Sequence, residues 1–161
     1  AQITLVSYSD FECPACASYF PVLESLKKTY GTQLRFAYRA YPLSMHRNAD
    51  LAARVAEAAG NQNKFWEMHD LLFVNQSKWA GSSDPMTHFN GFAQSLGLNT
   101  EQFSKDTNSS ETKKKIADNI ASGNRANVDA TPTFFLNDKK ITNLRSYGDL
   151  EQAIKDALAG K

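Results

Sequence analysis

Residues 8–16 read YSDFECPAC and hold both cysteines of a 161-residue chain, Cys13 and Cys16, with Pro14 and Ala15 between them. The run before them, QITLVSY at 2–8, is apolar and β-branched enough for a buried strand, which Ser9 and Asp10 bring to an end. After them Tyr19, Phe20, Leu23, Leu26 and Tyr30 recur at helical intervals until Gly31. The thiols therefore stand between a strand and a helix, with Cys13 at or just before the first helical turn. Three roles compete for such a pair: half of a metal site, a structural staple, or a disulfide that is made and broken.

A tetrahedral zinc site needs two more ligands, and the chain offers only His46, His69 and His88, none with ligand-like spacing. His69 reads as a half-buried helix residue, while His46 and His88 sit near a loop and a helix start, where exposure is the default. A disulfide closing so short a loop removes little entropy from the unfolded chain, and a chain of this length buries enough surface to need no staple. Redox chemistry suits the position better. Unpaired N–H groups and the peptide dipoles at a helix N-terminus favour a thiolate at Cys13, and Pro14 suits the first helical position because its missing N–H has no intrahelical use there. Cys16, nearly one turn further on, can attack a mixed disulfide at Cys13 and release the partner.

Outward from this motif, QLRFAYR at 33–39 alternates like a strand, and Pro42 ends it. Five helical segments are predicted next: 48–59, 63–73, 84–97, a short one around Phe103, and 109–122, where SGN supplies a stop. TPTFFLN and KKITNL then read as two strands joined at Asn137-Asp138, and 147–158 as a closing amphipathic helix. The expectation is one α/β fold, with strands and helices at 1–45 and 126–161 and an inserted helical domain at 46–125.

With 42% hydrophobic residues, 22% charged residues and a net charge of +1, the composition gives no general pull toward nucleic acid or an anionic membrane. No apolar run approaches the ~18 residues that cross a bilayer, and the start AQITLVSYSD lacks the features of a signal peptide, so any export signal or anchor is expected outside this chain. For most of Phe65, Trp66, Phe73 and Trp79 core packing is a better account than a cofactor or peptide groove, with Trp66 and Trp79 left open, and Lys113, Lys114 and Lys115 read as a solvated face.

The segments SDFECPAC, NKFWEMHDLLFVNQ and VDATPTFFLNDKKI, in this order and separation, resemble the DsbA-like thiol-disulfide oxidoreductases, thioredoxin-fold proteins with a helical insertion. The resemblance spans nearly the whole chain. It implies an exposed nucleophile at Cys13 and a resolving thiol at Cys16. It further implies a loop opposite them in which Pro132 is cis and Thr131 presents backbone groups to an extended protein substrate.

An acidic residue near the cysteines, Glu12 or Asp10, is a candidate for proton transfer, against the plainer readings of a solvated carboxylate and a turn residue. Ala15 brings neither charge nor hydrogen bond between the cysteines, so the sequence predicts a Cys13 less acidic than in relatives with histidine there. Asp129 and Ala130 precede the loop and bear on docking. The resemblance also implies a bacterial, extracytoplasmic protein, periplasmic or membrane-anchored, acting as a monomer with no cofactor beyond the Cys13–Cys16 disulfide and reset by a redox partner. An oxidase is the leading reading. A reductase or isomerase of the same fold, and a peptide-binding or chaperone module with inert cysteines, remain alternatives.

Overall fold

A computed structural model describes the whole chain, Ala1–Lys161. Strand β1 (Ile3–Ser9) lies at the centre of a four-stranded sheet of order β2-β1-β3-β4. It pairs in parallel with β2 (Leu34–Ala40), with Ile3 opposite Leu34, and antiparallel with β3 (Thr133–Leu136), with Leu5 opposite Leu136. The parallel pair needs a crossover, which helix α1 (Pro14–Tyr30) supplies. Ile3 and Leu5 are buried with Leu23 and Leu26 of α1, Phe134 and Leu136 of β3, and Leu150 and Ile154 of the closing helix.

The hairpin to β4 turns at Asn137 and Asp138, both with positive φ (47° and 67°). Such residues tolerate that conformation without glycine. Strand β4 is only Lys139–Lys140, shorter than KKITNL predicts, because its exposed lysines have no second neighbour to pair with.

Six helices, not five, lie between β2 and β3: α2 (Ala49–Gly60), α3 (Phe65–Val74), α4 (Gln76–Trp79), α5 (Pro85–Ser95), α6 (Thr100–Thr107) and α7 (Ser110–Arg125). The single turn α4 escapes the periodicity because four residues carry no period. Ala52, Ala53, Ala56, Ala58 and Ala59 of α2 are almost wholly buried, and their small side chains let neighbouring helices pack closely on it. Helix α7 runs through the expected stop at SGN. Gly123 is there for closeness: a Cβ on it would lie 2.6 Å from the Tyr41 ring and 3.2 Å from Tyr8. Helix α8 (Tyr147–Leu158) closes the chain.

Two clusters make up most of the hydrophobic interior, beside a small third one of Ala40, Ala53 and Ile116. One cluster lies between the sheet, α1 and α8. The other lies among the inserted helices, with Val55, Met68, Leu72, Trp79, Phe89 and Phe103, and it also takes in Phe11, Cys13 and Cys16. Both cysteines thus belong to the packing of the inserted helices as much as to the strand that precedes them.

Candidate active site

The turn between β1 and α1 is built by Asp10. Its backbone carbonyl accepts the Cys13 N–H at 3.1 Å, and its Oδ1 accepts the Glu12 N–H at 2.7 Å. This delivers Cys13 in an extended conformation (φ −73°, ψ 123°) as the N-cap of α1, with Pro14 as the first helical residue. Pro14 and Ala15 are exposed, whereas Cys13 retains 7% of its surface and Cys16 only 2%. The nucleophile expected to be exposed is therefore open to solvent only by comparison with its neighbour.

The two thiols are driven apart in acidity. A hydrogen bond from the Cys16 side chain stabilises the Cys13 thiolate most; against the opposing cost of burial, the Thr131 side chain and the backbone of Cys16 and Ala15 add to it, and the pKa comes down to about 5. Burial and the bond to Cys13 push the Cys16 thiol far above the ordinary thiol range, with Ser9 and the Asp10 backbone opposing. An uncharged Ala15 thus does not leave Cys13 an ordinary thiol, because its environment supplies what the motif lacks. The Tyr38 hydroxyl is buried without a hydrogen-bond partner, and the charge of Cys16 is among the causes that raise its pKa, after burial.

Thr131 and Pro132 lie across from Cys13, and their peptide bond is cis. The Cys13 Sγ–H donates to the Thr131 carbonyl at 3.7 Å. The Thr131 hydroxyl is buried with no other polar group to bond, and its hydrogen bond to the Cys13 sulfur lowers the Cys13 pKa. Cys13 and Cys16 near the start of the chain, and Thr131 and Pro132 more than a hundred positions later, therefore share one site. Asp129 and Ala130 are exposed beside it.

Glu12 is not solvated, as its plainer reading has it. It is 7% exposed, and its two carboxylate oxygens accept the N–H groups of Asn48 at 2.6 Å and Gly81 at 2.7 Å. It thereby joins the cysteine turn to the start of α2 and to the loop after α4. The Asn48 amide in turn donates to the carbonyls of Trp79 and Ser82.

Sequence reasoning passes over Gln76 and misjudges the surroundings of two histidines. The Gln76 side-chain amide donates to the carbonyls of Phe11 at 2.7 Å and Cys13 at 3.0 Å. Its only signal is its place at the end of NKFWEMHDLLFVNQ. His46, expected in the open, has 19% of its side chain exposed and places Nδ1 2.6 Å from Oδ2 of the fully buried Asp10 carboxylate. His69, expected half-buried, is 1% exposed and ringed by Phe11, Phe20, Tyr38, Phe65, Trp66 and Phe73. Burial holds its pKa below the ordinary imidazole value despite its bond to Asp70.

Comparison with known proteins places this arrangement. The family model described as Thioredoxin matches residues 1–156. The Na(+)/H(+) antiporter NhaA 1 of Salinispora arenicola is 35% identical over 161 residues, which are 99% of this chain but 24% of that protein. The Na(+)/H(+) antiporter NhaA of Herminiimonas arsenicoxydans is 36% identical over 141 residues, 88% of this chain and 22% of that protein. The chain spans about a quarter of the length of the curated relatives it matches, and no helix in it is long and apolar enough to cross a membrane.

Among solved structures, a thioredoxin-like oxidoreductase from Silicibacter pomeroyi superposes with a TM-score of 0.81 at 27% identity, over 99% of this chain and 88% of that one. Oxidised BdbD from Bacillus subtilis gives 0.86 at 22% identity, over 99% and 89%. DsbA2 from Pseudomonas aeruginosa gives 0.76 at 24% identity, over 100% and 91%. The fold is thus shared nearly end to end with these structures, and the chain belongs to the thioredoxin family.

Proposed function

We propose that the chain is a protein thiol–disulfide oxidoreductase, and that it works as an oxidase donating the Cys13–Cys16 disulfide to reduced proteins. The observation that carries this is the split between the two thiols at the helix start: Cys13 near 5, Cys16 far above the thiol range. In the forward reaction a substrate thiolate attacks Cys13 Sγ, the Cys13–Cys16 bond breaks, and Cys16 leaves as thiolate and takes up a proton. A second substrate thiolate attacks the substrate sulfur of the mixed disulfide, and Cys13 leaves as a thiolate. Two electrons pass from the substrate dithiol to the cysteine pair. A low leaving-group pKa speeds the last step, and a stabilised thiolate in the reduced form makes the disulfide the better oxidant. This favours an oxidase over a reductase or isomerase, and gives no support to a binding module with inert cysteines.

Thr131 and Pro132 are assigned to substrate docking, with the Thr131 backbone facing the cysteines. A redox partner must reoxidise the pair. Placement outside the cytoplasm, free or tethered to a membrane protein, suits an oxidant of this kind. The similarity to antiporters, which work across membranes, suits the tethered form.

Two measurements test the reading. The reduction potential of the pair is expected near the poise of an oxidising compartment; a value far below it overturns the oxidase direction. Cys16→Ser is expected to accumulate mixed disulfides through Cys13 with thiol substrates, and Cys13→Ser to accumulate none. Absence of adducts on a folded Cys16→Ser protein overturns the enzymatic reading.

A further inference from the structure

The segment 41–48 is strapped onto the turn that carries Cys13. The Tyr41 N–H donates to the Ser9 carbonyl at 2.8 Å, the Leu43 N–H to Asp10 Oδ2 at 2.9 Å, and the Asn48 N–H to Glu12 Oε2 at 2.6 Å. Within this strap His46 places its ring against the same Asp10 oxygen. Asp10 is thus shared: one carboxylate oxygen and its carbonyl build the turn at Glu12 and Cys13, and the other oxygen binds His46. A buried carboxylate in the turn that carries a reactive sulfur opposes a thiolate there unless a positive charge offsets it. His46 is the group in contact with it that can become cationic.

We infer that His46, acting through Asp10, is a positioning residue of the cysteine site that supplies the positive charge absent between the cysteines and gains proton affinity when the disulfide is reduced. The inference rests on the oxidoreductase reading. Reduction by a substrate dithiol leaves Cys13 as thiolate and Cys16 as thiol, so one of the substrate's two protons goes to Cys16 and the other has no sulfur to go to. His46 takes up part of it. The ring bonds Asp10 through Nδ1, and Nε2 has no protein partner, which leaves it free to exchange protons with solvent.

The charged groups facing the imidazole agree in sign. Burial opposes its protonation, and the bond and charge of Asp10, with the charges of Cys13 and Glu12, outweigh that and hold its pKa above the ordinary value. Its cationic neighbour Arg47 is exposed. By linkage, a thiolate that raises the affinity of His46 for a proton is itself stabilised by that proton to the same degree.

The test is a pair of titrations on the whole chain. The His46 imidazole, assigned among the three histidines by its loss in His46→Asn, is followed by NMR against pH in the oxidised and reduced protein. Its midpoint is expected to be higher in the reduced form; equal midpoints overturn the inference. Thiolate absorbance of Cys13 in reduced His46→Asn is expected to show about a tenfold smaller thiolate fraction than wild type at pH below the midpoint, the effect of one nearby charge. An unchanged Cys13 titration in the folded variant also overturns it. Should His46→Asn fail to fold, His46→Gln serves in its place for both the assignment and the thiolate titration. If His46 follows the redox state in a protein that oxidises no substrate, the coupling stands and the enzymatic reading fails. If disulfide exchange is normal with His46 indifferent to it, only the coupling fails.

Discussion

The side-chain amide of Gln76, in the one-turn helix α4, reaches back to the carbonyl of Cys13 at 3.0 Å and holds that of Phe11 at 2.7 Å in the same grip. Gln76→Ala leaves the Phe11 carbonyl without this donor and is expected to cost about 1 kcal/mol of stability, as losing a part-buried hydrogen bond does. Chemical denaturation measures this. A shift in the reduction potential of the variant is expected alongside, because the released carbonyl belongs to Cys13 itself.

Thr131→Val keeps the shape of the side chain and removes the hydroxyl that lies buried beside Cys13 with no other polar group to bond. That hydroxyl lowers the Cys13 pKa. The variant is expected to fold normally, to titrate Cys13 at higher pH and to be a weaker oxidant. Thiolate absorbance against pH and the equilibrium with glutathione check the two effects separately.

Glu12→Gln separates support from proton transfer. Its two oxygens accept two backbone N–H groups, and a glutamine presents one oxygen and one NH2 to the same pair, so an N–H is left facing an N–H. A loss of about 1–3 kcal/mol is expected, with the pH profile of disulfide exchange unchanged. A profile whose limb moves, in a variant of near wild-type stability, assigns Glu12 to proton transfer.

Gly123→Ala sets a helix-propensity gain of about 0.5–1 kcal/mol against a steric cost. The new Cβ would lie 2.6 Å from the Tyr41 ring, and Tyr41 cannot swing away freely because its hydroxyl is bonded to Asn124 and to the Val128 carbonyl. Overpacking of this kind costs about 1–3 kcal/mol, so net destabilisation is expected in thermal or chemical melts.

Acidity sets how stability depends on redox state. The Cys13 pKa is about 5 in the folded reduced protein against about 9 for an ordinary thiol, so the unfolded chain binds the proton more tightly. The stabilisation is complete above pH ~9 and is lost as pH falls through ~5. Cys16, shifted upward, is protonated in folded and unfolded chains alike up to about pH 8; nearer 9 its unfolded thiol begins to ionise while the folded one does not, so the gain levels off there. The stability of the reduced protein relative to the oxidised one is therefore expected to rise between pH ~5 and ~9, measured by paired denaturation curves. Groups that titrate alike in both redox states cancel in the difference.

What the sequence makes legible follows the range of the physics behind each feature. Strand β1, helix α1 and Cys13 at its head are local consequences of residues 2–31, and alternation and helical period reveal them. The hairpin at Asn137-Asp138 is equally local. Gln76 and His46 act on Cys13 from far along the chain through single hydrogen bonds, which leave no period and no spacing to read. Gly123 misleads for the same reason: its purpose lies in Tyr41, on another element, so a residue of close packing reads as a helix stop. The depressed Cys13 pKa is hidden likewise, since Thr131 contributes to it from the other end of the chain and the Cys16 thiol only through the folded geometry.

The grip of distant residues on the cysteine turn also sets a time for its chemistry. A chain growing from its N-terminus exposes both thiols well before Gln76 and long before Thr131 exist to surround them. Until then Cys13 is an ordinary thiol, mostly protonated at neutral pH and slow to attack. The reactive sulfur is in effect armed last, by the completed fold, so an unfinished chain carries the motif without the hazard of cross-linking itself or its neighbours.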